Sequence, residues 1–183
     1  MKAVASPVIL VLSGQTGSGK TSLAKELALK LNANFASFGS YVRTVATSRG
    51  IGLDRISLQN LGQTLIEEFG PDVFVKEVLT LGQCSSNDIT ILDGVRSVEI
   101  WRAVQKLAPG CVLVYLDIEE KERIRRLVER DRIDPASIQR AMMHSMETSV
   151  PELRPHADLV LCNNSINNMV SEIMLLLFLK RNR

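Results

Sequence analysis

The chain has little of what the commonest metal and covalent chemistries need. Among 183 residues there are three cysteines and two histidines, and aromatic residues make up only 4%. Cys84, Cys111 and Cys162 are widely spaced, odd in number and form no C-x-x-C pair, so they read as reduced, buried thiols of a cytoplasmic protein and argue against a zinc site. His144 and His156 have no evident partner and read as structural. No Ser-His-Asp or Cys-His constellation is visible. Long apolar runs are missing too. The longest, Ile173 to Leu179, is far short of the ~20 residues that span a bilayer, and no membrane partner is expected. Met1 to Pro7 leads straight into the first strand, so no export signal is expected. Charge of one sign is also lacking: 22 basic residues against 20 acidic ones give a net +2, a poor basis for nucleic-acid binding by phosphate neutralisation. With 45% apolar residues the chain suits one globular domain that buries its own core.

What is present is a glycine-rich segment, Gly14-Gln15-Thr16-Gly17-Ser18-Gly19-Lys20-Thr21, set between an apolar run (Pro7 to Ser13) and a helix-like run (Ser22 to Leu31). This satisfies G-x-x-x-x-G-K-[ST] in its strand-to-helix context, the pattern of a phosphate-binding loop. Glycines let the backbone curl until amides face phosphate oxygens, and the following helix adds its partly positive end. Gly14, Thr16, Gly17, Ser18, Gly19, Lys20 and Thr21 are therefore expected to hold ATP phosphates, with Lys20 between the β- and γ-phosphates and the Thr21 hydroxyl on Mg²⁺.

Beyond the loop, Phe35 to Phe38, Asp88 to Asp93, Cys111 to Asp117 and Ala157 to Cys162 read as further strands. Helical segments are expected at 98–107, 119–132 and 166–179, with another restarting at Asp134-Pro135. Between the second and third strands, residues 40–81 show no strand pattern and read as three helical pieces broken near Gly50 to Gly52 and at Gly70-Pro71. Five strands alternating with helices imply a three-layer α/β/α fold, a five-stranded parallel sheet with ligands at the strands' carboxyl ends. The expected division is a core (1–38, 82–122, 150–183), a helical acceptor-binding insertion (39–81) and a short arginine-rich lid (123–149).

This layout resembles the nucleoside monophosphate kinase-like group of P-loop kinases, adenylate kinases and dephospho-CoA kinases in particular. The resemblance implies roles for residues that no spacing rule assigns. Phe38-Gly39-Ser40-Tyr41-Val42-Arg43 is similar to the acceptor motif of adenylate kinases, which implies that Arg43 holds an acceptor phosphate; a planar guanidinium suits that task. Asp93-Gly94-Val95-Arg96 resembles the acidic-glycine-arginine segment after strand three, implying Asp93 as catalytic residue and metal partner and Arg96 as a phosphate contact. Arg126-Leu-Val-Glu-Arg130-Asp131 resembles the dephospho-CoA kinase lid, so Arg126 and Arg130, with Arg123 one turn below, are expected to close over the triphosphate. Ala157-Asp158 through Asn163-Asn164 is similar to the segment near the adenine in the same enzymes, which implies a base contact from Asn163. In the insertion, Arg49, Arg55, Gln59 and Gln63 lie where an acceptor would sit, and Gln59 is the candidate reader of its base.

The expected function is ATP- and Mg²⁺-dependent transfer of a phosphoryl group to a small nucleotide-like acceptor, a nucleoside or deoxynucleoside monophosphate first. The alternatives are a dephospho-CoA kinase-like activity and a nucleotide-dependent regulatory ATPase or switch, for which the apolar C-terminal helix leaves a homodimer open.

Overall fold

The computed structural model describes residues 8–84, 89–131, 135–162 and 165–181. Five strands, β1 (Ile9–Gly14), β2 (Asn34–Ser37), β3 (Thr90–Val95), β4 (Val112–Asp117) and β5 (Leu159–Cys162), form one sheet in the order β2-β3-β1-β4-β5. Every pairing is parallel. The central strands are aliphatic on both faces because both are covered. Ile9 and Val11 enter one core, Leu10 and Leu12 the other. The second core is closed by α1 (Lys20–Leu31) and α9 (Ile166–Arg181), through Leu23, Leu27, Val170 and Ile173.

The first core is larger and takes in the helices between β2 and β3. These are α2 (Phe38–Ser48), α3 (Arg55–Phe69) and α4 (Pro71–Leu81), and α5 (Val98–Leu107) follows β3. Phe74 of α4 meets Phe38 with ring centroids 5.2 Å apart and Tyr41 at 5.7 Å, and all three belong to the cluster that holds Leu92, Trp101 and Leu113. The insertion's core is thus continuous with the core on the sheet, whereas Phe69 is 37% exposed.

Several boundaries move for local reasons. Ser37 caps α2 by accepting from the Ser40 amide, which makes Phe38 the first helical residue and not the last of β2. The third strand runs on through Gly94 and Val95 because of a bulge: Leu12 faces Asp93 whereas Ser13 faces Val95. Gly94 is the extra residue, at φ +95°, and the Ser13 hydroxyl closes the gap by donating to the Val95 carbonyl. Asp88, the expected start of that strand, lies outside the described residues. The charged helix α6 spans Glu120–Asp131, followed by α7 (Pro135–Met142); Arg132 and the expected cap Asp134 are outside the described residues. Inside the expected lid, α8 (Ser145–Thr148) is one turn of helix; a 3₁₀ segment, Val150–His156, follows it, and β5 begins at Leu159 and not at Ala157.

Candidate active site

The glycine-rich segment folds as a loop between β1 and α1. A Cβ on Gly14 would stand 2.7 Å from the Leu116 carbonyl oxygen and one on Gly17 2.7 Å from that of Arg123, so both positions need glycine for the loop to lie against β4 and α6. Gly19, at φ +89°, precedes α1 without a side-chain cap, which leaves the first-turn amides for an external anion. Two expected cradle amides are engaged within the protein. Ser18 N–H donates to the Gln15 carbonyl at 3.1 Å and Thr16 N–H to Glu147 Oε2 at 2.8 Å, so the cradle's remaining amides come from Gly17, Gly19, Lys20 and Thr21.

Lys20 is buried, and its ammonium is pulled from the usual lysine range down to about 7. Burial is the main cause, Arg96 adds to it, Asp93 opposes it, and Arg130 and Arg55 add smaller repulsions. The arginines crowd the ammonium, and a polyphosphate would add negative charge that offsets their repulsion. Beside it the Thr21 hydroxyl donates to Asp93 Oδ2 at 2.7 Å, while Asp93 Oδ1 is buried without a hydrogen-bond partner. An orphaned carboxylate oxygen next to a hydroxyl fits a hard cation. Among the described residues no cluster of three or more His, Cys, Asp or Glu could hold a metal unaided. A cation here would draw its other ligands from phosphate and water, as Mg²⁺ does.

One cavity of about 890 Å³ joins these groups to the opposite wall, where Arg43, Gln59 and Arg96 stand. Arg43 donates to the Gly39 carbonyl one turn back at 3.2 Å. Gln59 is buried on the inner face of α3. Arg96 forms an ion pair with Glu147, and burial pulls its guanidinium down to about 10. Arg55, at the start of α3, also lines the cavity and crosses it to donate to the Thr16 hydroxyl at 2.7 Å. The other two insertion candidates face away. Arg49 pairs with Glu68 at 2.9 Å on the surface, and Gln63 is bonded to Glu67 and Ser145.

The three lid arginines do not act as one face. Arg130 lines the cavity. Arg126 lies over the loop, donating to the Ser18 carbonyl at 3.2 Å and to Glu122 at 2.7 Å. Arg123 is buried beneath the loop, where it donates to the Thr16 carbonyl at 3.3 Å and is absent from the cavity wall. Its turn of α6 is the one pressed against Gly17, so helical spacing brings the three near the loop but does not fix their depth. Asn163, the expected base contact, lies outside the described residues.

The sequence matches the family described as "AAA domain" over residues 13–140, 128 of the 183 residues. The chain belongs to that family. This AAA-domain protein is 31% identical over 163 residues to a cytidylate kinase of Pyrobaculum islandicum, covering 88% of this chain and 79% of the relative. It is 27% identical over 171 residues to a UPF0200 protein of Pyrobaculum aerophilum, covering 90% and 94% of the two. In fold it is similar to a gluconokinase from Sinorhizobium meliloti, with a TM-score of 0.63 at 16% identity over 96% of this chain and 95% of the other. The AAA-domain protein is thus a P-loop phosphotransferase that uses a nucleotide.

One residue of this site had no signal in a single sequence: Glu147 is one of several acids in the expected lid, and only the fold seats its carboxylate between Thr16 and Arg96. Asp158 serves the frame: it accepts from the Leu113 amide at 2.8 Å and pairs with Lys180 at 2.6 Å, tying β4 to the end of α9. His144 has the structural role expected of it, capping α8 through Nδ1 and reaching Asn60 at 2.9 Å through Nε2.

Proposed function

We propose that this protein moves the γ-phosphoryl group of ATP, with Mg²⁺, to a nucleoside or deoxynucleoside monophosphate. The observation that carries the reading is the composition of the cavity of about 890 Å³: the glycine-rich loop and Asp93 on one wall, Arg43, Gln59 and Arg96 on the other. An acceptor wall with this many guanidinium groups suits a ligand that brings its own phosphate and not a neutral sugar. The cytidylate kinases among the relatives make CMP the first acceptor to try.

In this reading the Gly17, Gly19, Lys20 and Thr21 amides hold the donor phosphates, whose charge favours the Lys20 ammonium. Thr21 and Asp93 would hold Mg²⁺, which supplies charge neutralisation on the donor phosphates when bound. Arg43 and Arg96 bind the acceptor phosphate and set it in line with the donor, while Gln59 reads the base from a wall shared with Phe38 and Val42. Arg126 and Arg130 stabilise the charge that spreads over the moving group and exclude the water that would waste ATP. A monophosphate acceptor is its own nucleophile and needs no general base. The protein's part is positioning and electrostatics.

The test is a panel assay of ATP consumption and product formation with each nucleoside and deoxynucleoside monophosphate, with dephospho-CoA, and with no acceptor. Formation of a nucleoside diphosphate supports the reading. Phosphorylated dephospho-CoA, or hydrolysis with no phosphorylated product, replaces it with the corresponding alternative.

A further inference from the structure

Thr16 is gripped at three points by three different elements. Its amide donates to Glu147 of α8 at 2.8 Å, its hydroxyl accepts from Arg55 of α3 at 2.7 Å, and its carbonyl accepts from Arg123 of α6 at 3.3 Å. Of these, Glu147 has a second hold. Its other oxygen pairs with Arg96, which follows β3 and stands in the cavity wall. The Glu147 side chain is 2% exposed and does not reach the cavity surface, so it cannot touch a ligand and is no candidate for a general base. A buried carboxylate with both oxygens committed is retained by what it holds. What it holds is one residue of the donor loop and one arginine of the opposite wall.

We propose that Glu147 is a positioning residue that locks the Arg96 guanidinium to the phosphate loop, so that the two phosphates of the reaction are held in register. The inference rests on the phosphoryl-transfer reading and assigns within it a residue that no motif marks. Arg96 is a long side chain with many rotamers. Without a fixed partner it would meet an acceptor phosphate in several geometries, only one of them in line with the donor. Glu147 removes that freedom, and because its second oxygen is on Thr16 the guanidinium is referenced to the loop itself. α8 is held in turn by His144 on Asn60 and Ser145 on Gln63, so the strut is anchored to α3 as well.

The experiment uses the full chain and three variants, Glu147→Gln, Arg96→Ala and the double variant. Glu147→Gln keeps a carbonyl oxygen for the Thr16 amide but ends the ion pair. Its kcat falls about a hundredfold, the size of effect that misplacement of a phosphate by an ångström produces, while KM for ATP moves less than about twofold. In the double variant kcat falls no more than about twofold below Arg96→Ala alone, because the two residues act as one unit. A folded Glu147→Gln enzyme with wild-type kcat and KM overturns the inference, and so do losses that multiply in the double variant. If the wild type phosphorylates no acceptor in the panel, the functional reading fails. The strut is then read by amide hydrogen exchange at Thr16: protection lost in Glu147→Ala keeps it, unchanged protection removes it.

Discussion

At the scale of single residues the site is a crowd of cations, Arg96, Arg130 and Arg55, around Lys20. Burial costs the ammonium its solvation, and Arg96, Arg130 and Arg55 repel it, so it sits in the fold at a cost that a polyphosphate removes. Lys20→Ala is therefore expected to lose about a thousandfold or more in transfer rate while its melting temperature stays the same or rises. A coupled assay and a thermal melt on the same preparation check both halves, and full activity in that variant would sink the donor-site assignment. The cysteines give a second residue-scale prediction. Cys162 is exposed, Cys84 is partly buried, and Cys111 is buried, with its thiol pushed up to about 11 mainly by burial and secondarily by Asp158. The thiolate is the reactive form, so iodoacetamide at pH 8 modifies Cys162 first and Cys111 last, read by peptide mass spectrometry. Raising the pH toward 11 narrows the gap. It also weakens the fold, since the unfolded thiol ionises near 9.0 and the folded one about 11, and the contribution to stability is lost through that window.

At the scale of elements, the bulge in β3 decides where the chemistry points. Without the extra residue at Gly94, the register that faces Leu12 to Asp93 would carry on unbroken and turn the segment from Val95 to Arg96 to the other side of the strand. Gly94→Ala places a side chain at φ +95°, where a Cβ is strained, and is expected to cost about 1–2 kcal/mol in urea denaturation. The neighbouring space is open enough, with Phe38 Cβ 3.8 Å away, for the chain to fold. Because the strain sits between Asp93 and Arg96, kcat is expected to drop by more than the stability loss accounts for; an unchanged kcat would show that the bulge is only a packing device. The same scale explains a prediction that moved. Phe38 reads as the end of a strand from its apolar neighbours, but the Ser37 hydroxyl captures the Ser40 amide and the helix starts at Phe38, two residues earlier than expected. A capping bond outweighs a short apolar run because it satisfies a backbone donor that the strand would otherwise have to pair.

At the scale of the whole molecule, the two sides of the cavity come from distant parts of the chain, and they should fail separately. Arg43→Ala removes a guanidinium from the acceptor wall only, so KM for the acceptor is expected to rise about tenfold or more, the worth of one charge-assisted hydrogen bond, with KM for ATP unchanged. Equal rises in both would mean that Arg43 acts through the fold and not on the acceptor. The exposed apolar residues of α9, Leu175, Phe178 and Leu179 among them, lie on the far side of the sheet from the acceptor wall. Among the described residues no helix is long and apolar enough to cross a membrane.

Much of this was legible in the residues. The phosphate loop was, because its function lies in backbone geometry that only glycines permit, and glycines at fixed spacing are visible in any chain. The five strands and the terminal helices were, because burial on two faces or one leaves an apolar period. Arg43 and Arg96 were singled out by resemblance alone, as arginine spacing does not distinguish a cavity wall from a solvated helix, and the structure places both in the cavity wall. What only the tertiary structure decided was depth and partnership: that Arg123 supports the loop from beneath while Arg130 faces the cavity, that Arg49 is spent on Glu68, and that Glu147 joins Thr16 to Arg96. The physical reason is common to all three. A charged side chain takes its role from the partner it meets, and these partners are brought together by the tertiary fold and not by neighbourhood in sequence.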